Sequence, residues 1–245
     1  PMCYDNLKED EKAKAALEKK ISKYDEFITQ ISILQPDFVL PFGGGATLGS
    51  YNVKRLKYSG MGTPDEAVRI ARNDLDFEGL LLSPGSSYDI ISRDLKKGYP
   101  QPTEKQNELY LEVLEKKPDF FEQGGKFYIE ESQQKDVIRL LQTARQKQKK
   151  WQDIKEIVSE KVFFIDIKKN YLYRFSLANS EVAKVKHNAI KDEAYEIFRM
   201  PYSLLIGLLT GLYKISDVED SHISYFRKPN TYDPDLHNLM NHLHL

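Results

Sequence analysis

The sequence lacks the features that define several classes of protein. Cys3 is the only cysteine in 245 residues, which excludes an internal disulfide and a cysteine-cluster zinc site and predicts a reducing, cytoplasmic location. No apolar run approaches the roughly 20 residues that cross a bilayer. Lys and Arg (36) balance Asp and Glu (37), so we expect no non-specific binding of nucleic acid. No basic-then-apolar leader is visible, and no export signal is expected.

The first part of the chain alternates helical and strand-like patterns. Apolar residues spaced by three and four predict an amphipathic helix over residues 8–34, with a buried face made of Leu17, Ile21, Tyr24, Ile28 and Ile31. Residues 38–42 predict a short buried strand that runs into a glycine run. Thr63 and Glu66 then predict a capping-box helix start, and residues 79–85 predict a second buried strand that ends in a turn. This order indicates an α/β arrangement.

The middle of the chain is polar. Residues 86–125 are predicted to lie at the surface around one helix, residues 103–116, which starts with a capping box from Thr103 and Gln106. Residues 132–160 predict a long helix whose centre, residues 145–150, is basic. We interpret this helix as a solvated link between two domains; a phosphate-binding surface is the alternative.

The last part predicts a small α+β domain. Residues 162–167, 171–177 and 182–186 have the alternation of strands, with a hairpin turn at residues 168–170. An apolar helix over residues 201–213, a strand over 221–227 and a helix from Pro234 follow. Asp217, Glu219 and Asp220 are interpreted as a solvated loop before the last strand.

Few residues indicate chemistry. Gly43, Gly44 and Gly45 follow a strand, as phosphate-binding loops do, but the run matches neither G-x-G-x-x-G nor the Walker pattern. Ser83 lies in a Ser-Pro-Gly turn without the G-x-S-x-G pattern of a nucleophile. Both segments are therefore interpreted first as tight turns.

All five histidines follow residue 186: His187, His222, His237, His242 and His244. On a continuous helix His237 and His244 would lie about 10.5 Å apart, too far to chelate one ion. His242 and His244 could bind a metal weakly if the tail were extended. We favour solvent-facing tail histidines, and we expect no metal ligands in this chain.

Three segments resemble the C-terminal half of metallo-β-lactamase-fold proteins. They are Leu34–Gly44, Thr63–Ile70 and Leu80–Gly85, and their pattern is most similar to the phospholipase D-like branch and to CMP-N-acetylneuraminate hydroxylase. The resemblance implies half of an αββα sandwich. In that family two metal ions, zinc or iron here, activate water to act on substrates such as a sugar nucleotide or a lipid-like ester.

The metal motif of that family, H-x-H-x-D-H, is absent, and Ser83 takes the place of the last histidine ligand. The resemblance therefore implies that an N-terminal half or a partner chain would have to complete the metal site. The last part of the chain resembles sterol-carrier-like domains, which hold an apolar tunnel. There Arg227 and Asn230, beside Tyr225 and Tyr232, could bind a polar ligand head; the competing interpretation is a strand end and turn.

The sequence thus predicts three parts: residues 1–130 as the metallo-β-lactamase-like half, 131–160 as a linking helix and 161–245 as the α+β domain. The first functional hypothesis is the C-terminal portion of a metal-dependent hydrolase or oxygenase-like protein, not catalytic as this chain alone. The second is a non-catalytic module that binds a partner chain, a second copy, or a small apolar or sugar-nucleotide ligand. A helical adaptor acting through Lys147–Lys150 is a third. The candidate ligand-binding residues are Gly43, Gly44, Gly45, Ser83, Ser86, Arg227 and Asn230.

Overall fold

The computed structural model describes residues 7–41, 50–100, 103–117, 137–167, 170–190 and 194–245. The chain is a mixed α/β protein that divides into two compact units, here the N-terminal unit (Glu9–Lys117) and the C-terminal unit (Pro118–Leu245). Gly43, Gly44, Gly45 and the predicted domain boundary at residue 130 lie outside the described residues.

The N-terminal unit contains a β-α-β arrangement. Its elements are α1 (Glu9–Leu34), β1 (Phe38–Val39), a 3-10 helix (Ser50–Tyr58), α2 (Pro64–Asp74), β2 (Glu78–Gly79), β3 (Ser87–Tyr88), β4 (Leu95–Lys96) and α3 (Glu104–Glu115). Strands β1 and β2 are parallel, with Phe38 opposite Glu78 and Val39 opposite Gly79. Strands β3 and β4 form an antiparallel hairpin. Strand β1 lies within the first predicted strand, residues 38–42, but β2 shares only Gly79 with the second, residues 79–85, and residues 80–83 are not in a strand. Each strand is only two residues long.

Both predicted capping boxes are confirmed. The Glu66 amide donates to Thr63 Oγ1 at 3.2 Å, and the Thr63 amide donates to Glu66 Oε2 at 3.0 Å. At the start of α3, Thr103 and Gln106 make the same reciprocal pair. Each pair satisfies amide groups that the first turn of a helix leaves without a partner, which fixes where α2 and α3 begin.

The buried face of α1 differs from the prediction. Leu17 and Ile21 are 58% and 52% exposed, whereas Ala16 and Ile31 are buried. Ile31 packs against Val39 of β1 and Ala71 of α2. Lys20 and Tyr24 of α1 both contact Glu66 of α2. The predicted face is therefore confirmed at Ile31, with Tyr24 and Ile28 partly buried, and it is wrong at Leu17 and Ile21.

The C-terminal unit is built around a five-stranded sheet of order β7-β6-β5-β8-β9. Its elements are α4 (Val137–Ile154), β5 (Val162–Asp166), β6 (Tyr171–Phe175), β7 (Val182–Lys186), β8 (Tyr195–Arg199), α5 (Tyr202–Leu209), α6 (Ile215–His222), β9 (Ser224–Lys228) and α7 (Pro234–Met240). Strands β5 and β8 run parallel, and the other neighbouring pairs are antiparallel. The predicted meander, apolar helix, last strand and closing helix are all present.

Both faces of this sheet are buried. One face carries Phe163, Phe175, Phe198 and Tyr225, each 0% exposed. Their rings are in contact, with the Phe163 and Phe175 centroids 4.4 Å apart. Phe164, Leu172 and Ile197 form a second cluster. Phe163 and Phe164 contribute to different clusters because successive strand residues point to opposite faces.

Helix α6 replaces a predicted loop. Residues 215–222 are helical, whereas the sequence predicts a solvated loop for Asp217, Glu219 and Asp220. Ile215 and Val218, one turn apart, are 2% and 5% exposed. Their burial anchors the helix to the unit, and a three-residue apolar spacing within a short polar segment is too weak a signal to predict it.

Helix α4 is part of the C-terminal unit and is buried along one side, whereas the sequence predicted a solvated link. Arg145 within its basic stretch is 0% exposed. The Arg145 guanidinium donates to the carbonyls of Ser176 and Asn179 and to the side chains of Gln148 and Gln152. Burial lowers the pKa of Arg145 to about 10. The prediction was wrong here because backbone carbonyls, which leave no mark in a sequence pattern, provide the partners of the charge.

None of the helices in the described ranges combines the length and the hydropathy needed to span a bilayer.

Candidate functional site

The predicted serine site is a hydrogen-bonded turn. The Ser86 amide donates to the Ser83 carbonyl at 2.9 Å, and Gly85 has a φ of +79°. The hydroxyls of Ser83 and Ser86 lie 3.0 Å apart, and Ser86 Oγ accepts from the Gly98 amide at 2.9 Å. No histidine occurs in residues 9–117. These contacts give both serines a role in holding the turn, and the unit offers Ser83 no imidazole base.

A cleft of about 430 Å³ lies where β1 ends and α2 begins. Tyr24 and Phe27 of α1, Leu40 and Pro41 after β1, and Thr63 before α2 are among its lining residues. Lys20 and Tyr24 both bind Glu66, with distances of 2.6 Å to Oε1 and 2.5 Å to Oε2. The hydrogen bonds from Lys20, the larger cause, and from Tyr24 lower the pKa of Glu66 to about 2. Burial and the hydrogen bond to Glu66 raise the pKa of Tyr24 to about 12. The carboxylate thus holds α1 against the start of α2.

The C-terminal unit contains a buried charge cluster, made of Lys161, Glu196, Arg227 and His237. All four residues are 6% exposed or less. His237 Nε2 lies 2.9 Å from Glu196 Oε1. Arg227 Nε lies 3.8 Å from the same oxygen, and Lys161 Nζ lies 3.8 Å from Glu196 Oε2. Glu196 and Arg227 face each other in register across β8 and β9.

The cluster is held together because a buried charge needs a partner. An ionised carboxylate only accepts hydrogen bonds, so His237 Nε2 is the donor to Glu196. Lys161 also donates to the carbonyl of Thr231. Burial lowers the pKa of Lys161, and the nearby carboxylate of Glu196 opposes that effect. Glu196 therefore lies within hydrogen-bond distance of one imidazole and within ion-pair distance of two cationic side chains.

The cap of α7 positions this cluster. Asp233 Oδ1 accepts from the amides of Asp235 and Leu236, both at 3.1 Å, and Asp233 Oδ2 accepts from Ser159 Oγ at 2.5 Å. Tyr232, which is 53% exposed, packs its ring 4.7 Å from that of His237. The segment before α7 therefore covers the cluster and fixes the direction in which His237 enters the core.

The two residues predicted to bind a polar ligand head differ in their burial. Arg227 lies within the buried charge cluster, and Asn230 is exposed. Lys161, Glu196 and His237 were not among the site residues predicted from the sequence. One sequence signal could have indicated this cluster. Glu196 stands within a run of aromatic and branched strand residues, Tyr195-Glu196-Ile197-Phe198, and a charge in such a strand is buried only with a partner.

The histidines are dispersed. His237 is 3% exposed, so the prediction of solvent-facing tail histidines was wrong there. His242 stacks on Trp151 with ring centroids 3.7 Å apart, and helix α7 ends at Met240 before it and His244. Within the described residues, no group of three or more His, Cys, Asp or Glu side chains could hold a metal ion.

A second cleft, of about 400 Å³, lies in the C-terminal unit. It is here called the C-terminal cleft. Its lining comes from the end of α5, the connection to α6 and the segment after α7: Leu208, Gly211, Tyr213, Lys214, Ile215, Ser216, Met240, Asn241, His242, Leu243 and His244. Leu208, Ile215, Met240 and Leu243 are buried and form an apolar floor. Lys214 and His244 are exposed.

No protein-family model, curated protein or solved structure matches the chain.

Proposed function

We propose that this chain is the C-terminal part of a metallo-β-lactamase-fold, metal-dependent hydrolase or oxygenase-like protein and is not catalytic alone. The observation that carries the proposal is the parallel pairing of β1 with β2, joined through the capping-box helix α2. This is the order of strand, helix and strand that the resemblance implies for half of the sandwich. The single cysteine, Cys3, supports a cytoplasmic location within the proposal.

The described residues do not fit the family's binuclear metal site. His187 and His222 lie at separate places, in a 3-10 turn and at the end of α6. His237 is engaged by Glu196. The proposal therefore assigns the zinc or iron ligands to an N-terminal half or to a partner chain, and it assigns to the residues of this chain only binding and packing roles.

The C-terminal unit is proposed to be a sterol-carrier-like domain that binds a small ligand. Its sheet begins with a three-stranded meander and continues through β8, the apolar helix α5 and β9, which is the arrangement that the resemblance implies. The C-terminal cleft supports a ligand-binding role, since its volume of about 400 Å³ is within the usual range of small-molecule pockets.

The experiment measures metal content and molar mass on the same purified chain. Plasma mass spectrometry after dialysis is expected to find zinc and iron well below one ion per chain, and light scattering to find a species larger than one chain. An assembly is expected because half of a sandwich exposes a face that another chain would cover. One or more tightly held zinc or iron ions per chain would overturn the claim that ligands are missing.

The alternative is a non-catalytic module that works alone by binding a ligand or a partner. The apolar side chains Leu109, Tyr110 and Val113 on α3, each more than half exposed, favour it as a partner surface. A monomer without metal that binds small apolar ligands would favour this alternative over the enzyme portion.

A further inference from the structure

Strand β7 forms one edge of the five-stranded sheet and is paired with β6. The Ser176 amide donates to the Glu181 carbonyl at 3.2 Å, in the same register that places Arg174 opposite Ala183. In an antiparallel ladder, residues that bond to the neighbouring strand alternate with residues whose amide and carbonyl point away from it. The residues of β7 that point outward are therefore Val182, Lys184 and Lys186.

This edge is accessible to another chain. Lys184 and Lys186 are exposed, and so is Ala183. Within the part of the chain that the structure describes, no backbone group beyond β6 bonds to Lys184 or Lys186. An open edge presents amide and carbonyl groups at the spacing that a further strand requires. Strand β7 can thus hold an extended segment by main-chain hydrogen bonds.

The edge carries two cations on one face. Lys184 and Lys186 are two residues apart, so their side chains project to the same side of the sheet. Lys186 forms no ion pair with the described residues. The Lys184 ammonium lies 3.5 Å from the centroid of the Tyr171 ring. The ring holds the ammonium in place and does not neutralise its charge.

The described acids nearest to this edge do not compensate these lysines. Glu181 precedes β7 and projects to the opposite face by the alternation of the strand. Helix α4 packs against β7, and its one acid, Asp153, is bound by Lys149. An acidic strand therefore complements the edge, whereas two β7 edges paired about Lys184 would bring like charges together.

We infer that the β7 edge binds an extended acidic segment of a partner protein as a sixth strand, antiparallel to β7, with acidic side chains at alternate positions opposite Lys184 and Lys186. The antiparallel direction is chosen because it is the more stable pairing per residue. No residue of β7 lines the C-terminal cleft, so this surface is separate from the proposed ligand site.

The test is isothermal titration calorimetry of the full chain with short peptides that are blocked at both ends. We expect Thr-Thr-Glu-Thr-Glu-Thr-Thr to bind at least tenfold more tightly than the same peptide with lysine in place of glutamate. Lys186→Glu is expected to weaken the acidic peptide about tenfold and to strengthen the lysine peptide. Lys105→Glu, at an exposed position of α3, changes the net charge equally and is the matched control.

Two further measurements determine the register and the place of the peptide. N-methylation of either glutamate amide should abolish binding, because these N–H groups face β7. N-methylation of the central threonine, whose N–H points away, should leave binding unchanged. In NMR, bound peptide should slow the amide exchange of Lys184 and Lys186 and leave that of Ala183 and Val185, which already bond to β6, as it was.

Other results would overturn the inference. Equal binding of the acidic and the lysine peptide would contradict the acidic partner, and loss of binding on methylation of the central threonine would contradict the antiparallel register. Slow exchange at Lys184 that appears with rising protein concentration, before peptide is added, would mean that a second copy occupies the edge. No binding of any peptide would remove the site. None of these results alters the expected metal content, so the proposed function is tested separately.

Discussion

The imidazole of His237 donates to the carboxylate of Glu196 across 2.9 Å inside the C-terminal unit. This bond joins helix α7 to the central part of the sheet. Lys161 and Arg227 approach the same carboxylate, each at 3.8 Å. Glu196 on β8 is therefore the residue on which three other segments of the chain converge.

Removal of the charge of Glu196 should destabilise the C-terminal unit. Glu196→Gln leaves the cations of Lys161 and Arg227 buried without their counter-charge, which typically costs about 3–5 kcal/mol of unfolding free energy. Guanidinium unfolding followed by Trp151 fluorescence reports on this unit, since Trp151 belongs to α4. Glu160→Gln, at an exposed position, is the control and should change the unfolding free energy by less than about 0.5 kcal/mol. Equal effects of the two changes would contradict a role of Glu196 as the counter-charge of Lys161 and Arg227.

Arg145 should stabilise the C-terminal unit by donating hydrogen bonds to backbone carbonyl groups. Arg145→Met leaves the carbonyls of Ser176 and Asn179 without their donor, and we expect a loss of about 3 kcal/mol in the unfolding free energy. Faster amide exchange around residues 176–181 should accompany the loss. Lys147→Met lies on the exposed side of the same helix and should be nearly neutral. An Arg145→Met protein as stable as the Lys147→Met protein would show that the network adds nothing.

Glu66 should stabilise the N-terminal unit in a pH-dependent manner. Its pKa is lowered from 4.5 to about 2 by Lys20 and Tyr24. The contribution is therefore fully present above pH 4.5 and is lost as the pH falls from 4.5 to about 2. After allowance for solvent screening it amounts to about 1–2 kcal/mol.

An NMR titration of the glutamate carboxyl groups checks this prediction. Lys20→Met should raise the pKa of Glu66, because the Lys20 hydrogen bond is the largest cause of the shift. Lys23→Met removes a neighbouring lysine of α1 that pairs with Glu26 and should leave the pKa of Glu66 in place. A Glu66 titration unaffected by Lys20→Met would contradict the contact between α1 and α2.

Gly98 should not tolerate a side chain. A Cβ atom at this position would lie 2.3 Å from both the Pro84 carbonyl oxygen and the Ser86 amide nitrogen. Because both atoms are backbone, Gly98→Ala must distort the Ser83–Ser86 turn, at an expected loss of about 2 kcal/mol. Thermal unfolding followed by circular dichroism measures it, with the exposed neighbour in Lys97→Ala as control. Unchanged stability would mean that the turn adjusts without strain.

The sequence was most informative where local chemistry decides the structure. The caps at Thr63 and Thr103 involve residues three positions apart, so both could be predicted together with the helices that they start. Strands of the C-terminal sheet were also located, because aromatic and branched residues alternate along them. The apolar pattern correctly predicted the burial of Ile31, but it also predicted burial of Leu17 and Ile21, which are more than half exposed, because the spacing does not show which turns of a helix another element covers.

The buried polar residues could not be predicted in the same way. Arg145 and His237 read as surface residues because their partners, backbone carbonyls and Glu196, are distant in the sequence. Arg227 was predicted to bind a polar ligand head through the sterol-carrier-like resemblance, with a strand end as the competing interpretation, and the structure shows it beside Glu196. A single sequence indicates which residues are apolar, but it does not show which charges meet when the chain folds.

The order of strands also bears on how the C-terminal unit reaches its native state. Strand β5 must pair with β8 across the intervening β6 and β7, and such non-local pairing slows folding because a long loop has to close first. The carboxylate of Glu196 can form its ion pair with Arg227 only after β9 has paired with β8, and its hydrogen bond with His237 only after α7 has docked. Helix α7 is thus expected to be a late but indispensable step, and a chain shortened before Pro234 should collapse without reaching a cooperative native state.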